Sequence, residues 1–276
     1  MLSLDEIKVI QLHELEYIDK LCRDNNLEYS LTYGTLIGAV RHKGFIPWDD
    51  DIDLMMRRDD YEKLIEILMN EERYGLIAGK ANWFNWAKII DLNTIIEEAD
   101  EYNIKDYGVW LDIFPLDEVP NPSSFKGKVH MKLVKLMNTL AQQRAINISH
   151  AQVWTGYKRI LWLIRHALLS IFPISFYNQI TFKILTRYRG LDTGFVGEGN
   201  YYWRSPKRSF NKEIFDSYID IPFESVTARS INDYDVFLTN VYGNYMKLPP
   251  IDQQKSVHHY KAYWKKEGDL LCKQLS

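Results

Sequence analysis

Four aspartates fall within five residues: Asp49, Asp50, Asp51 and Asp53. Asp51 to Met55 alternates acidic with apolar residues, the period-two pattern of a strand. Asp51 and Asp53 then project to one side, with Cα atoms about 6.5–7 Å apart. Carboxylates at that separation can both reach one Mg²⁺, a cation that prefers oxygen ligands and completes its shell with water and substrate phosphate. An isolated acidic run reads as a solvated turn, since four clustered charges repel one another without a cation. Three neighbours favour the metal. Gly34-Thr35 stands between an expected strand and helix, where glycine lets backbone approach a phosphate and the helix N-terminus favours an anion. Arg41 and Lys43 lie at the other end of that helix, with charge to neutralise a diphosphate. Asp112 is a lone acid in the apolar run Trp110-Leu111-Asp112-Ile113-Phe114. A buried carboxylate there needs either structural hydrogen bonds or a cation.

The elements that must position these residues are legible in outline. Leu4 to Cys22 carries apolar residues at helical spacing. Glu28 to Leu31 is a short strand and Thr35 to Arg41 a helix. Tyr61 to Met69 is a second amphipathic helix, with Asp59 and Asp60 as caps. Leu76–Ala78, Ala87–Ile90, Thr94–Glu97 and Val109–Phe114 are expected strands, the last stopped by Pro115. Short strands resume at Ile219–Ile221 and Val226–Ala228, and Asp233 to Tyr242 is a helix. The mixture points to an α+β fold.

Between Val119 and Leu191 there is no Asp or Glu, although eleven of the 34 basic residues of the chain lie there. The overall net charge of −3 thus conceals a basic segment inside an acidic body. That asymmetry implies an anionic partner. The segment reads as helical, with Lys128, Lys132 and Lys135 on one face. Its Ile160 to Phe176 stretch is too broken by Arg165, His166 and Pro173 for a spanning helix but suits the membrane interface. The apolar run also disfavours nucleic acid as the partner. The division expected is a core of residues 1–118 and 192–276 around a basic helical insertion, 119–191. Hydrophobic residues at 46 % and aromatics at 14 % exclude disorder, collagen and a disulfide scaffold. Cys22 and Cys272 lack metal or redox spacing. The acidic start, Met1 to Glu6, lacks the order of a secretory signal.

Gly-Thr after a strand, Asp-Ile-Asp-Leu, then an acid on a later strand resembles the nucleotidyltransferase superfamily. The long gap from Gly34 to Asp51 narrows the resemblance. GTLIGAVRHKGFIPWDDDIDLMMRRDDYEKL looks like the signature of the LicD family of phosphocholine transferases, related to fukutin and fukutin-related protein. KIIDLNT (88–94), VWLDIFPLD (109–117) and YGNYMKLPP (242–250) resemble further family blocks. The resemblance covers residues 28–118 and 210–260 and leaves 119–191 unmatched. It implies a nucleotidyltransferase-like mixed sheet flanked by helices. It also implies Mg²⁺- or Mn²⁺-dependent transfer of phosphocholine from CDP-choline to a sugar hydroxyl, with release of CMP. The acceptor would be a lipid-linked teichoic acid precursor or another surface glycan.

By position Asp51, Asp53 and Asp112 match the family's metal-binding and catalytic acids, and Gly34 and Thr35 its phosphate loop. Arg41, Lys43 and Lys88 would clamp the diphosphate, and His258 would touch phosphate or acceptor. Asp112 could also accept the hydroxyl proton. A quaternary ammonium needs aromatic faces, for which Trp83-Phe84-Trp86 and Tyr201-Tyr202-Trp203 are the candidate clusters. A cytoplasmic location, with peripheral attachment to the inner face of the plasma membrane, follows from a lipid-linked acceptor. Transfer of another CDP-alcohol phosphate or of a nucleotidyl group, and a non-catalytic binding protein of the same fold, are the competing readings.

Overall fold

A computed structural model of the chain describes residues 1–79, 84–97, 107–199, 202–256 and 260–265. Helix α1 (Leu4–Asp24) opens on a reciprocal cap, in which Ser3 Oγ accepts the Glu6 amide and the Glu6 carboxylate accepts the Ser3 amide at 2.8 Å. There follow β1 (Ser30–Leu31), α2 (Tyr33–His42), β2 (Asp53–Arg57), α3 (Arg58–Leu68), β3 (Gly75–Ala78), β4 (Ala87–Ile90), β5 (Thr94–Glu97) and β6 (Trp110–Glu118). Three helices, α4 (Phe125–Ala145), α5 (Gly156–Leu169) and α6 (Ile174–Leu185), precede β7 (Phe195–Glu198) and β8 (Ser209–Asn211). The chain then forms β9 (Tyr218–Phe223), β10 (Val226–Ile231), α7 (Tyr234–Tyr242) and β11 (Lys261–Trp264). The fold is α+β, as expected.

The main sheet runs β1-β2-β6-β4-β3, with β7 on β6 and β8 on β7; β9–β10 and β5–β11 form separate two-stranded ribbons. Strand β6 is its hub. One edge pairs parallel with β2, placing Asp53 beside Asp112. The other edge pairs antiparallel with β4 as far as Ile113 and with β7 from Leu116. Pro115 therefore does not end the strand. The Asp112 amide bonds toward β2, to the Ile52 carbonyl, and backbone groups alternate sides along a strand. The missing N–H of Pro115 thus falls on the edge between β4 and β7, where no ladder bond is required.

Two other expectations are corrected. Strand β2 begins at Asp53, so Asp51 sits in the extended approach to it. Asp59 and Asp60 lie inside the first turn of α3, where they complement the helix dipole. The sheet's core includes Leu15, Ile18, Leu31, Leu36, Leu54 and Ile113, all fully buried. In the acid-free segment, α4 packs along α6 around Val119, Val134 and Leu185. Lys128, Lys132 and Lys135 do share a face, lining one shallow depression with Met131 and Trp203.

Candidate active site

The acidic residues meet in a cleft of about 390 Å³ at the start of β2, lined by Asp49, Asp51, Asp53 and Asp112 together with Lys88 and Arg208. Its remaining wall is aromatic: Tyr33, Trp86, Phe114 and Tyr242. Carboxylate oxygens of Asp49, Asp50 and Asp51 can all lie within 4.8 Å of one another. Asp50 serves the scaffold. It is buried, and its carboxylate accepts from Ser256 Oγ at 2.7 Å. Its carbonyl accepts from Gln11 Nε2 at 2.9 Å, and Gln11 also donates to the Trp110 carbonyl. A single side chain of α1 thereby pins the acidic loop to β6.

The first turn of α2 shapes the mouth of the cleft. Thr35 Oγ1 accepts the Asp53 amide at 2.9 Å, fixing the start of β2. A Cβ on Gly34 would come within 2.7 Å of Asp49 Oδ2, so glycine is what lets this carboxylate lie against the helix. Tyr33 has a φ of +46°, a left-handed conformation costing an L-residue roughly 1–2 kcal/mol. Its ring meets Phe114 edge-on at 5.8 Å and carries the Arg208 guanidinium 5.4 Å from its centroid.

Asp112 is held by three donors. Trp86 Nε1 reaches one oxygen at 2.5 Å, Trp110 Nε1 the other at 2.9 Å, and Lys88 Nζ lies 2.8 Å away. Lys88 and Asp112 are both buried. Burial disfavours the Lys88 ammonium, but the Asp112 charge outweighs it and holds the lysine protonated above its ordinary range. Asp53, its neighbour across the strand pair, is different. Burial first, then the charges of Asp51, Asp112 and Asp49, push its carboxyl well above the usual carboxylate range, with Lys88 opposing. Behind this layer Glu14 of α1 is fully buried. Burial, with the charge of Asp91 second, raises it far above its normal value.

The structure thus brings Gly34, Thr35, Asp51, Asp53, Lys88 and Asp112 to one place. Arg41 and Lys43 stand at the far end of α2. The Arg41 guanidinium donates to the Tyr245 carbonyl at 2.8 Å, and Lys43 caps the helix with φ of +62°. Neither lines the cleft. Lys88 lines it but is committed to Asp112. His258, Trp83 and Tyr201 lie outside the described residues. Phe84 is buried in the core against Trp86 at 4.6 Å, whereas Trp203 stands beside α4, under Lys135. Sequence reasoning missed Arg208, Tyr33, Phe114 and Tyr242. Phe114 and Tyr242 stand inside the quoted blocks VWLDIFPLD and YGNYMKLPP. Arg208 has no comparable signal, since it reaches the cleft only through the β7–β8 return of the chain.

Comparison with known proteins connects this α+β fold and its acidic cleft to one family. Residues 26–135 match the family described as LicD/FKTN/FKRP, nucleotidyltransferase domain. The chain is 35 % identical over 272 residues to the lipopolysaccharide cholinephosphotransferase LicD of Haemophilus influenzae, covering 95 % of this chain and 98 % of the relative. An uncharacterized protein of Rickettsia prowazekii is 32 % identical over 114 residues, 41 % of each chain. The chain belongs to the LicD family.

Proposed function

We propose that this protein transfers phosphocholine from CDP-choline to a hydroxyl of a cell-surface glycan carried on a lipid, such as a teichoic acid precursor. Near full-length similarity to a cholinephosphotransferase supports the reaction class, and the aromatic-walled acidic cleft carries the assignment of the site. In this reaction the glycan oxygen forms a bond to the phosphocholine phosphorus. The bond from phosphorus to the CMP oxygen breaks, and CMP leaves with that electron pair. The hydroxyl proton passes to a carboxylate of the cluster.

The residues suit each requirement. Asp49 and Asp51, with Asp53 behind them, present the hard oxygen donors that Mg²⁺ or Mn²⁺ takes. The glycine cradle under Asp49 and the raised proton affinity of Asp53 both mark a place built for positive charge. Such an ion would neutralise charge on the diphosphate. Arg208 can add a planar, bidentate contact to phosphate oxygens, and the first turn of α2 offers amides of the kind that bind anions. Trp86, Phe114, Tyr33 and Tyr242 supply the faces that attract a quaternary ammonium. Asp112 locks Trp86 and Lys88 in register within that wall.

Incubating the protein with CDP-choline, Mg²⁺ and a panel of lipid-linked glycans, followed by mass spectrometry of the products, tests the proposal. A glycan heavier by one phosphocholine, together with free CMP, is expected. CDP-ethanolamine and CDP-ribitol as equally good donors would refute the choline assignment. Failure of every CDP-alcohol would refute the reaction. Asp112→Asn is expected to lower transfer by disturbing Trp86 and Lys88, and unchanged transfer would remove it from the site.

A further inference from the structure

Helix α5 is turned inside out relative to an ordinary amphipathic helix. Placed at 100° per residue, Ile160, Ala167, Ile164, Tyr157, Leu168 and Leu161 occupy one continuous arc of about 120°, and every one of them is exposed. Tyr157 keeps 70 % of its surface and Leu168 61 %. The opposite side holds Trp162, the one buried residue of the helix, which stacks on His166 at 4.9 Å. His166 in turn faces Gln143 and Arg144 of α4. The apolar arc therefore points directly away from the protein. Lys158 and Arg165 border one side of it, and Arg159 lies beyond the other. Past the helix end, Ile171 and Phe172 continue the exposed apolar surface.

We infer that α5 is a membrane-docking helix that lies in the headgroup region of an anionic bilayer, with its outer arc among the acyl chains. The charge pattern selects this occupant. No acidic residue exists anywhere from Val119 to Leu191, so a second copy of the same basic face would be repelled, whereas anionic headgroups would be attracted. Length selects the orientation. Fourteen residues span about 21 Å, short of the roughly 30 Å hydrocarbon core, and no single helix among the described residues is long and apolar enough to cross a membrane. Helix α6, bent 73° from α5, buries Tyr177, Asn178, Thr181 and Leu185 in the protein, which leaves α5 as the surface element. Each cation near an anionic surface strengthens binding roughly fivefold.

This inference does not depend on the reaction proposed above, and its test is separate. The full chain is sedimented with vesicles of phosphatidylcholine alone and with vesicles containing 30 mol % phosphatidylglycerol. Binding to the anionic vesicles at least about tenfold tighter, and weakened by salt, is expected. The double variant Ile164→Glu/Leu168→Glu should lose at least tenfold of that binding while melting at the wild-type temperature, because both side chains are exposed. Arg165→Gln should lose a few-fold. Equal sedimentation with both vesicle types, or a wild type that fails to sediment with either, would overturn the inference. So would self-association through this face, seen as a dimer in analytical ultracentrifugation that the double variant abolishes, without vesicle binding.

Discussion

The acidic cleft and the helical insertion solve opposite problems. In the cleft, charge is taken inward: Lys88 and Asp112 are buried beside Trp86 and Trp110, and the balance is held by ion pairing and indole N–H groups. In the insertion, apolar surface is sent outward, and Ile160, Ile164 and Leu168 each stay more than half exposed. Each region carries a cost that folding alone does not recover. Buried like charges call for a cation or a phosphate, and exposed apolar residues call for an apolar phase. The proposed chemistry and the proposed attachment thereby fall in separate regions, and each can be tested without the other.

The largest expected effect comes from leaving a charge unpaired. Lys88→Met should strand the Asp112 carboxylate and destabilise the fold by about 3–5 kcal/mol, measured by urea denaturation. Asp53→Asn keeps the shape of the side chain and should cut phosphocholine transfer by about 100-fold or more, with little change in melting temperature. Arg208→Ala should reduce transfer by about 10–100-fold, mainly through weaker binding of the diphosphate, seen as a raised KM for the donor.

Glu14→Gln should act on stability and reverse the usual sign. The native carboxyl is raised far above its ordinary value of 4.5. The stability it contributes is complete below that value and lost as pH rises through the native value. The glutamine cannot ionise. The variant should therefore melt a few degrees higher than wild type at pH 8, and the difference should vanish near pH 4.5. The smallest effect belongs to the insertion. Ile160→Ser should alter stability by no more than about 0.5 kcal/mol, since that side chain is 60 % exposed. A larger loss would show that the outer arc is not a free surface.

Local periodicity made much of this legible. Helix α1, strands β3 to β5 and the strand carrying Asp112 follow from spacing alone, and Asp51, Asp53 and Asp112 do converge. What was hidden depends on tertiary register. The expectation that Pro115 stops a strand is sound locally. It fails because β6 changes partners from β4 to β7 at that residue. The clamp expected of Arg41 and Lys43 does not line this cleft for a similar reason: ten residues of helix carry them to the end opposite Gly34. Strands β7 and β8, which bring Arg208 into the cleft, have no alternation long enough to announce them. Asp112 posed a choice between structural hydrogen bonds and a cation. Its three donors answer the first need through Lys88 and the two indoles, whose directions no spacing could give.

The register at the end of β6 has a consequence for how the chain reaches its native state. Glu118 and Val196 are direct partners in adjacent strands, so the whole insertion is a loop closed by one antiparallel pair. Closure entropy grows only with the logarithm of loop length, about 0.6 kcal/mol per doubling. Lengthening the loop at α5 would therefore cost the sheet little, because α6 and Arg189, not α5, hold the insertion against the core. The return of β7 is nevertheless the step on which assembly of the Arg208 side of the cleft must wait. In polymer terms the insertion is a cheap but obligatory detour.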